Sequence, residues 1–380
     1  MLKNLVASTV IVLLATPAIS DTSDLIDFLK DELSNIREEI VARDAAPNES
    51  GYLRSGKADY QEDIDAILDE ALGLIVPETF DTWVAQLNKI REATDEARSL
   101  RAELLEDRIT ARTSDGVGMV GKLLGREYKS GSLEDINQKL NEIDATLEQL
   151  GQDQEMVIIG FADDMRQLHN VTLTNAQSKA ILHSVNGGLM VETAVVLNSI
   201  GDVERRLAEV MKEQIGPDAR RKYIGVASAT RLIHVRMLQR HLAAYDEKWL
   251  PGLAAIRTKA QNLLGQTRGQ ASQARQERVK ETYANNIELQ ERTLNVIDRY
   301  EAMLKRRQQK TAKALVLAEE RANAAVNTLM TFETAASVAS IMTEATNDYD
   351  TLMAVDLPEL EQLDPKEFET MLDISRQLGS

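Results

Sequence analysis

Residues 283–346, YANNIELQERTLNVIDRYEAMLKRRQQKTAKALVLAEERANAAVNTLMTFETAASVASIMTEAT, decide the fold. Alternating steps of four and three lead from Tyr283 and Ile287 through Gln290, Leu294, Ile297, Glu301, Leu304, Gln308, Thr311, Leu315, Ala318, Ala322, Ala325, Leu329, Phe332, Ala336, Ala339 and Thr343 to Thr346 without a change of frame. Such a heptad seam keeps one face of an α-helix against a partner. No Pro or Gly interrupts it, so a continuous helix here would be about 95 Å long at ~1.5 Å per residue. A helix of that length needs partners along it, and the rest of the chain reads as the helices that supply them. The expected class is all-α, an elongated antiparallel helical bundle or coiled coil with very long helices.

The seam changes character along its length. Its first half mixes Leu and Ile with Gln290, Glu301, Gln308 and Thr311, and polar seam residues cost stability while fixing register. The second half, Leu315, Ala318, Ala322, Ala325, Leu329, Phe332, Ala336 and Ala339, is a candidate packing seam in which alanine lets a neighbouring backbone come close. Its occupant is a helix of this chain, a second copy or another protein, and the tethered helix has the advantage of effective concentration. A seam that shifts between two registers is the functional alternative to an ordinary bundle helix.

Composition agrees with long packed helices. Of 380 residues, 43% are hydrophobic but only 4% aromatic, and there are seven prolines and no cysteine. Disulfides and thiolate zinc sites are thereby excluded. The N-terminus carries Lys3, an apolar run over Leu5–Leu14, and small residues Ala18 and Ser20 before Asp21. This pattern predicts a secretory signal over 1–20, cleaved near Ser20/Asp21, and a periplasmic or secreted protein. The run is short for an uncleaved membrane anchor. Charge is uneven: the net value is −17, yet Glu204–Lys310 holds 22 Lys and Arg against 12 Asp and Glu. Basic helices lying on acidic ones account for this. Without aromatic interleaving or a recognisable module, no nucleic-acid partner is expected.

Taken in order, the body runs from 21 to 356 and a tail with a short amphipathic helix from 357 to 380. Leu25, Phe28, Leu29, Leu33, Ile36 and Ile40 mark a first helix, and Tyr60–Ile75 a second. Pro77 opens a third with Phe80, Trp83, Leu87, Ile90, Ala97 and Leu104 on one face, a natural antiparallel partner for the organising helix. Ser132 and Asp135 cap a fourth that is expected to persist, with a buried turn at Met156–Phe161, as far as Val185. Asn186-Gly187-Gly188 is a pause. Leu189–Ile200 is apolar on most faces apart from Glu192, the mark of a bundle centre and too short to span a bilayer. Asp218 is the expected cap of the next run, Pro251-Gly252 a kink or corner, and Gly265 and Gly269 lie in a soft Gln-rich patch.

The loop expected at 115–131 contains Gly116, Gly118, Met119, Val120, Gly121, Lys122, Leu123, Leu124 and Gly125. It matches both G-x-G-x-x-G and the core of a phosphate loop. Neither match has the preceding strand that such loops need, and Leu123 replaces the hydroxyl that would hold magnesium. The stretch is instead a candidate docking or membrane-contacting loop, flanked by Lys122, Arg126 and Lys129. The four histidines, His169, His183, His234 and His241, lack the i, i+3 or i, i+4 acidic or His neighbours of helical metal sites. No catalytic residue, cofactor, metal or small-molecule substrate is expected. A non-enzymatic exported scaffold or adaptor with protein partners or self-association is the leading function, and a membrane-active helical protein the alternative.

Overall fold

The computed structural model describes residues 22–49, 55–75, 79–111, 132–212, 216–331 and 365–379. The regular elements among them are all helical, which bears out the all-α class. They are α1 (Thr22–Ala45), α2 (Lys57–Ile75), α3 (Thr79–Thr110), α4 (Leu133–His169), α5 (Asn175–His183), α6 (Gly187–Met211), α7 (Pro217–Ala244), α8 (Leu250–Gln273), α9 (Glu277–Thr331) and α10 (Pro365–Gly379). A π-helical turn, Tyr245–Trp249, joins α7 to α8. The signal at 1–20, the loop over Gly116–Gly125 and the seam residues Phe332, Ala336 and Ala339 lie outside the described residues.

The chain divides into two compact units. One contains α3 and α4 as far as Asp164, and the other contains the remaining described helices.

In the first unit α3 and α4 are antiparallel. Arg101 Nε meets Asp144 Oδ1 at 2.7 Å near one end, and Trp83 Nε1 donates to Asp164 Oδ2 at 2.9 Å near the other. Ala97 and Leu104 pack with Ile136, Leu140 and Ile143, so the stripe expected to meet the organising helix packs on α4. Periodicity fixes which face of a helix is buried, while the shorter loop closure favours the next helix in the chain as its partner. Ser132 and Asp135 cap α4 reciprocally, with Asp135 N–H donating to Ser132 Oγ at 3.2 Å and Ser132 N–H to Asp135 Oδ2 at 3.1 Å. Val157, Ile158 and Phe161 are buried, and Phe161 meets Phe80 edge-on at 6.0 Å. A Cβ on Gly160 would lie 2.6 Å from Trp83 Cη2. This close approach explains a mid-helix glycine, which costs about 1 kcal/mol relative to Ala.

In the second unit α6 is the centre, packed by α1, α2, α5 and α7. Val191, Ala194, Val195, Val196, Leu197 and Ile200 are all buried, as the apolar run at Leu189–Ile200 leads one to expect. Three local expectations are corrected. The helix read as continuous to Val185 breaks after His169. Asn170 adopts a left-handed φ of 52°, Val171 N–H bonds Met165 O at 2.9 Å, and Thr174 opens α5 through a capping box with Gln177. Gly216, not Asp218, is the N-cap of α7, with extended backbone suited to the residue before Pro217. Pro251 makes no corner: the backbone stays helical through the π-turn, where Leu250 N–H reaches Tyr245 O. Proline has no N–H and its ring crowds the carbonyl four residues back, so widening the turn just before it keeps the helix going.

The 55-residue α9 runs antiparallel along α7, the π-turn and α8. The register is marked by Ile224 with Leu329, Ser228 with Ala325, Asp246 with Gln308, Arg257 with Asp298 and Thr267 with Gln290.

Candidate functional site

The polar residues of the seam each find a polar partner. Gln290 Nε2 donates to Thr267 Oγ1 at 3.0 Å, Gln308 Nε2 to Asp246 Oδ1 at 2.6 Å, and Glu301 pairs with Arg257 and with Lys305. The pairs to Thr267, Asp246 and Arg257 hold one register, because sliding α9 by a turn strands all three, whereas Glu301–Lys305 lies within α9. In the alanine half, Ala318, Ala322, Ala325 and Leu329 are buried and Leu315 is half-buried. The backbone of α7 comes close enough for Ser228 Oγ to donate to Ala325 O at 3.0 Å while also lying 2.9 Å from Ile224 O. The occupant of the groove at Ala325 is therefore α7. Ala325→Leu should overpack this contact and lower unfolding free energy by about 1–3 kcal/mol in a urea titration, with the chain keeping its size in sedimentation. Dissociation of an oligomer into folded monomers would instead place the groove at a subunit interface.

Between α6 and α7 lies a layer of charge that periodicity does not reveal. Arg231 Nη2 meets Glu204 Oε1 at 2.7 Å, and both side chains are only 3% exposed. Three turns along, Glu192 Oε2 lies 3.4 Å from His241 Nε2, and its other oxygen 3.9 Å from Arg240 Nη1. His234 is buried on the same helix. At the margin Arg236 grips α2, donating from Nε and Nη2 to Asp69 at 2.9 and 2.6 Å and from Nη1 to Asp65 at 2.6 Å. The hydrogen bond from Arg236 holds the Asp69 carboxyl below its usual range. Here basic α7 does lie on acidic α2, the arrangement the charge distribution leads one to expect.

A second polar cluster ties α10 into the second unit. Asn186 opens α6, but its side chain turns to Tyr245 OH at 3.2 Å and accepts from Arg307 Nη1 at 2.6 Å. Tyr300 OH accepts from Val185 N–H at 3.3 Å and lies 2.8 Å from Ser375 Oγ of α10. Burial pushes both phenols up, so they stay neutral. Met371, Ile374 and Leu378 of α10 fill the apolar groove around them.

His169 ends α4, its carbonyl taking Asn198 Nδ2 at 2.7 Å. Burial lowers its pKa from 6.5. Below about pH 6.5 the unfolded chain gains a proton that the folded chain resists, so stability falls with pH from that point down to the lower folded value. His169→Gln should flatten the dependence between pH 7 and 5.5, read as the difference in urea midpoint from wild type.

Beyond Arg257 and Asp298, α8 and α9 form a two-helix arm. Leu264 and Thr267 face Gln290 along its seam, while Leu263 is 52% and Leu289 61% exposed. Each leucine precedes a seam residue by one position, which in an antiparallel pair of right-handed helices puts both on the same side. The opposite side is laced by Arg268–Glu291 at 2.7 Å and Arg257–Asp298 at 2.5 Å. The sequence shows the α8 half of this region only as a soft Gln-rich patch and the α9 half as part of the seam; two isolated leucines off the seam carry no periodic signal.

Among the described residues no group of three or more His, Asp or Glu is placed to hold a metal, and no helix is long and apolar enough to cross a membrane. Compared with known proteins, the chain matches no family model, no curated protein and no solved structure.

Proposed function

We propose that this chain is an exported, non-enzymatic helical scaffold or adaptor that serves a periplasmic or cell-surface assembly of the secretion or pilus kind. The observation that carries the reading is the arm. It sets two large apolar side chains, Leu263 and Leu289, in water on one side of a helix pair whose other side is ion-paired. Register-fixing pairs along α9 and the closed, charged interior of the second unit suit a body that presents surfaces and holds them still. Export rests on the Leu5–Leu14 run and the small residues Ala18 and Ser20.

A photo-crosslinking residue placed at Leu263 or Leu289 tests the reading in the producing cell. Adducts of higher mass should form there, in the exported fraction and on chains that begin at Asp21, and should be absent from a control position such as Arg268 on the other side. Chains retained with residues 1–20 in the inner membrane overturn the export part. Absence of any protein adduct from the leucine side overturns the scaffold reading itself.

A further inference from the structure

The scaffold reading leaves open what the arm grips, and the charge of the two helical hairpins bears on it. The arm, residues 257–292, carries seven Lys and Arg against four Asp and Glu in a chain whose net charge is −17. Its leucine side is flanked by Lys259, one turn before Leu263, and by Arg278, three turns before Leu289. The α4 segment 133–164 is the converse, with nine Asp and Glu against one Lys. Away from its contact with α3 it presents Glu148, Gln152, Glu155 and Ile159 at i, i+4, i+7 and i+11, with Met156 beside them. All five are exposed, and Met156 and Ile159 are large apolar groups left in water as the arm leucines are.

We infer that the arm of one copy docks on the acidic outer face of α4 in a second copy. Leu263 and Leu289 meet Met156 and Ile159, and the basic arm, with Lys259 and Arg278 on its leucine side, lies against the acidic face that carries Glu148 and Glu155. The inference rests on the arm being a docking surface and adds its partner. Each protomer carries both halves, so copies join arm to α4 either reciprocally, as a two-fold pair, or head to tail, as a ring or a filament. Apolar burial supplies the attraction and opposite charge sets the pairing and its salt dependence.

Sedimentation of the full chain at rising concentration, in low salt and in salt at about three times physiological ionic strength, ~0.5 M, reads the association. Wild type should form dimers or larger species in low salt and fewer of them in high salt. Lys259→Glu with Arg278→Glu, or Glu148→Lys with Glu155→Lys, should each weaken association about tenfold or more, since like charges then face each other. All four positions are exposed, and circular dichroism checks that each variant remains helical. An equal mixture of the two variants should associate again, because the reversed arm matches the reversed α4 and the unchanged arm of one variant matches the unchanged α4 of the other. A wild-type monomer throughout, or association indifferent to both reversals, overturns the inference. Adducts from Leu263 to another protein would then still support the scaffold reading, whereas monomer and no adducts together would remove both.

Discussion

Replacing Arg231 by methionine lowers the free energy of unfolding by about 3–5 kcal/mol. Arg231 and Glu204 sit between α6 and α7 with their side chains 3% exposed and 2.7 Å apart. Methionine fills much of the same space, so packing changes little, but the Glu204 carboxylate is left buried without the Arg231 guanidinium. Desolvation that the pair had offset is then fully felt. A companion variant separates this from simple damage to the core: Glu204→Leu with Arg231→Met removes both charges and should recover most of the loss, because a buried pair is often matched or exceeded by apolar residues of similar volume. Urea titration followed at Trp249, in the same unit as both residues, measures each variant. A single-variant loss below about 1 kcal/mol would mean that Glu204 finds other compensation. A double variant as unstable as the single one would mean that the pair is needed for the shape of the α6–α7 contact and not for neutralisation.

Much of the fold was open to reading because helices write their buried faces at a spacing that few other structures share. The seam from Leu294 to Leu329 is buried or half-buried at each four-three step. The run at Leu189–Ile200 is the bundle centre because no face of it suits water. What periodicity lacks is a signal for partners: the stripe of α3 is correct residue by residue, and its partner α4 follows from chain connectivity. Breaks were legible only where their chemistry is strong. The Asn186-Gly187 pause is real, whereas the break after His169 rests on one left-handed asparagine and the Thr174–Gln177 capping box, a pattern easily passed over inside a helical run.

The candidate sites divide along the same line. Alanine at Ala318, Ala322 and Ala325 announces close approach, and Ser228 on α7 delivers it. Glu192, Glu204 and Arg231 look in sequence like the solvated residues of an amphipathic helix, since a charge at a periodic position gives no hint of a partner on another helix. Burial of such groups follows from tertiary pairing alone, so only the folded chain reveals the layer. The arm is hidden for the opposite reason: its leucines lie just off the seam, where isolated apolar residues are ordinary on any surface.

The other large effect belongs to the first unit. Phe161→Ala should cost about 3–5 kcal/mol, the range for emptying an aromatic site in a core. Phe161 is 1% exposed, packs edge-on against Phe80 and follows Gly160, where the Trp83 ring comes so near that no Cβ fits. Neighbours so constrained cannot close over the vacated space, which puts the loss toward the upper end of the range. The chain has two tryptophans, Trp83 in the first unit and Trp249 in the second. Trp249→Phe leaves a reporter beside the mutation, and Trp83→Phe leaves one in the other unit. In the first background Phe161→Ala should shift the urea midpoint by the full amount, and in the second by clearly less. Equal shifts at both tryptophans would show that the units unfold as one cooperative body, and no shift at Trp83 would contradict the packing around Phe161.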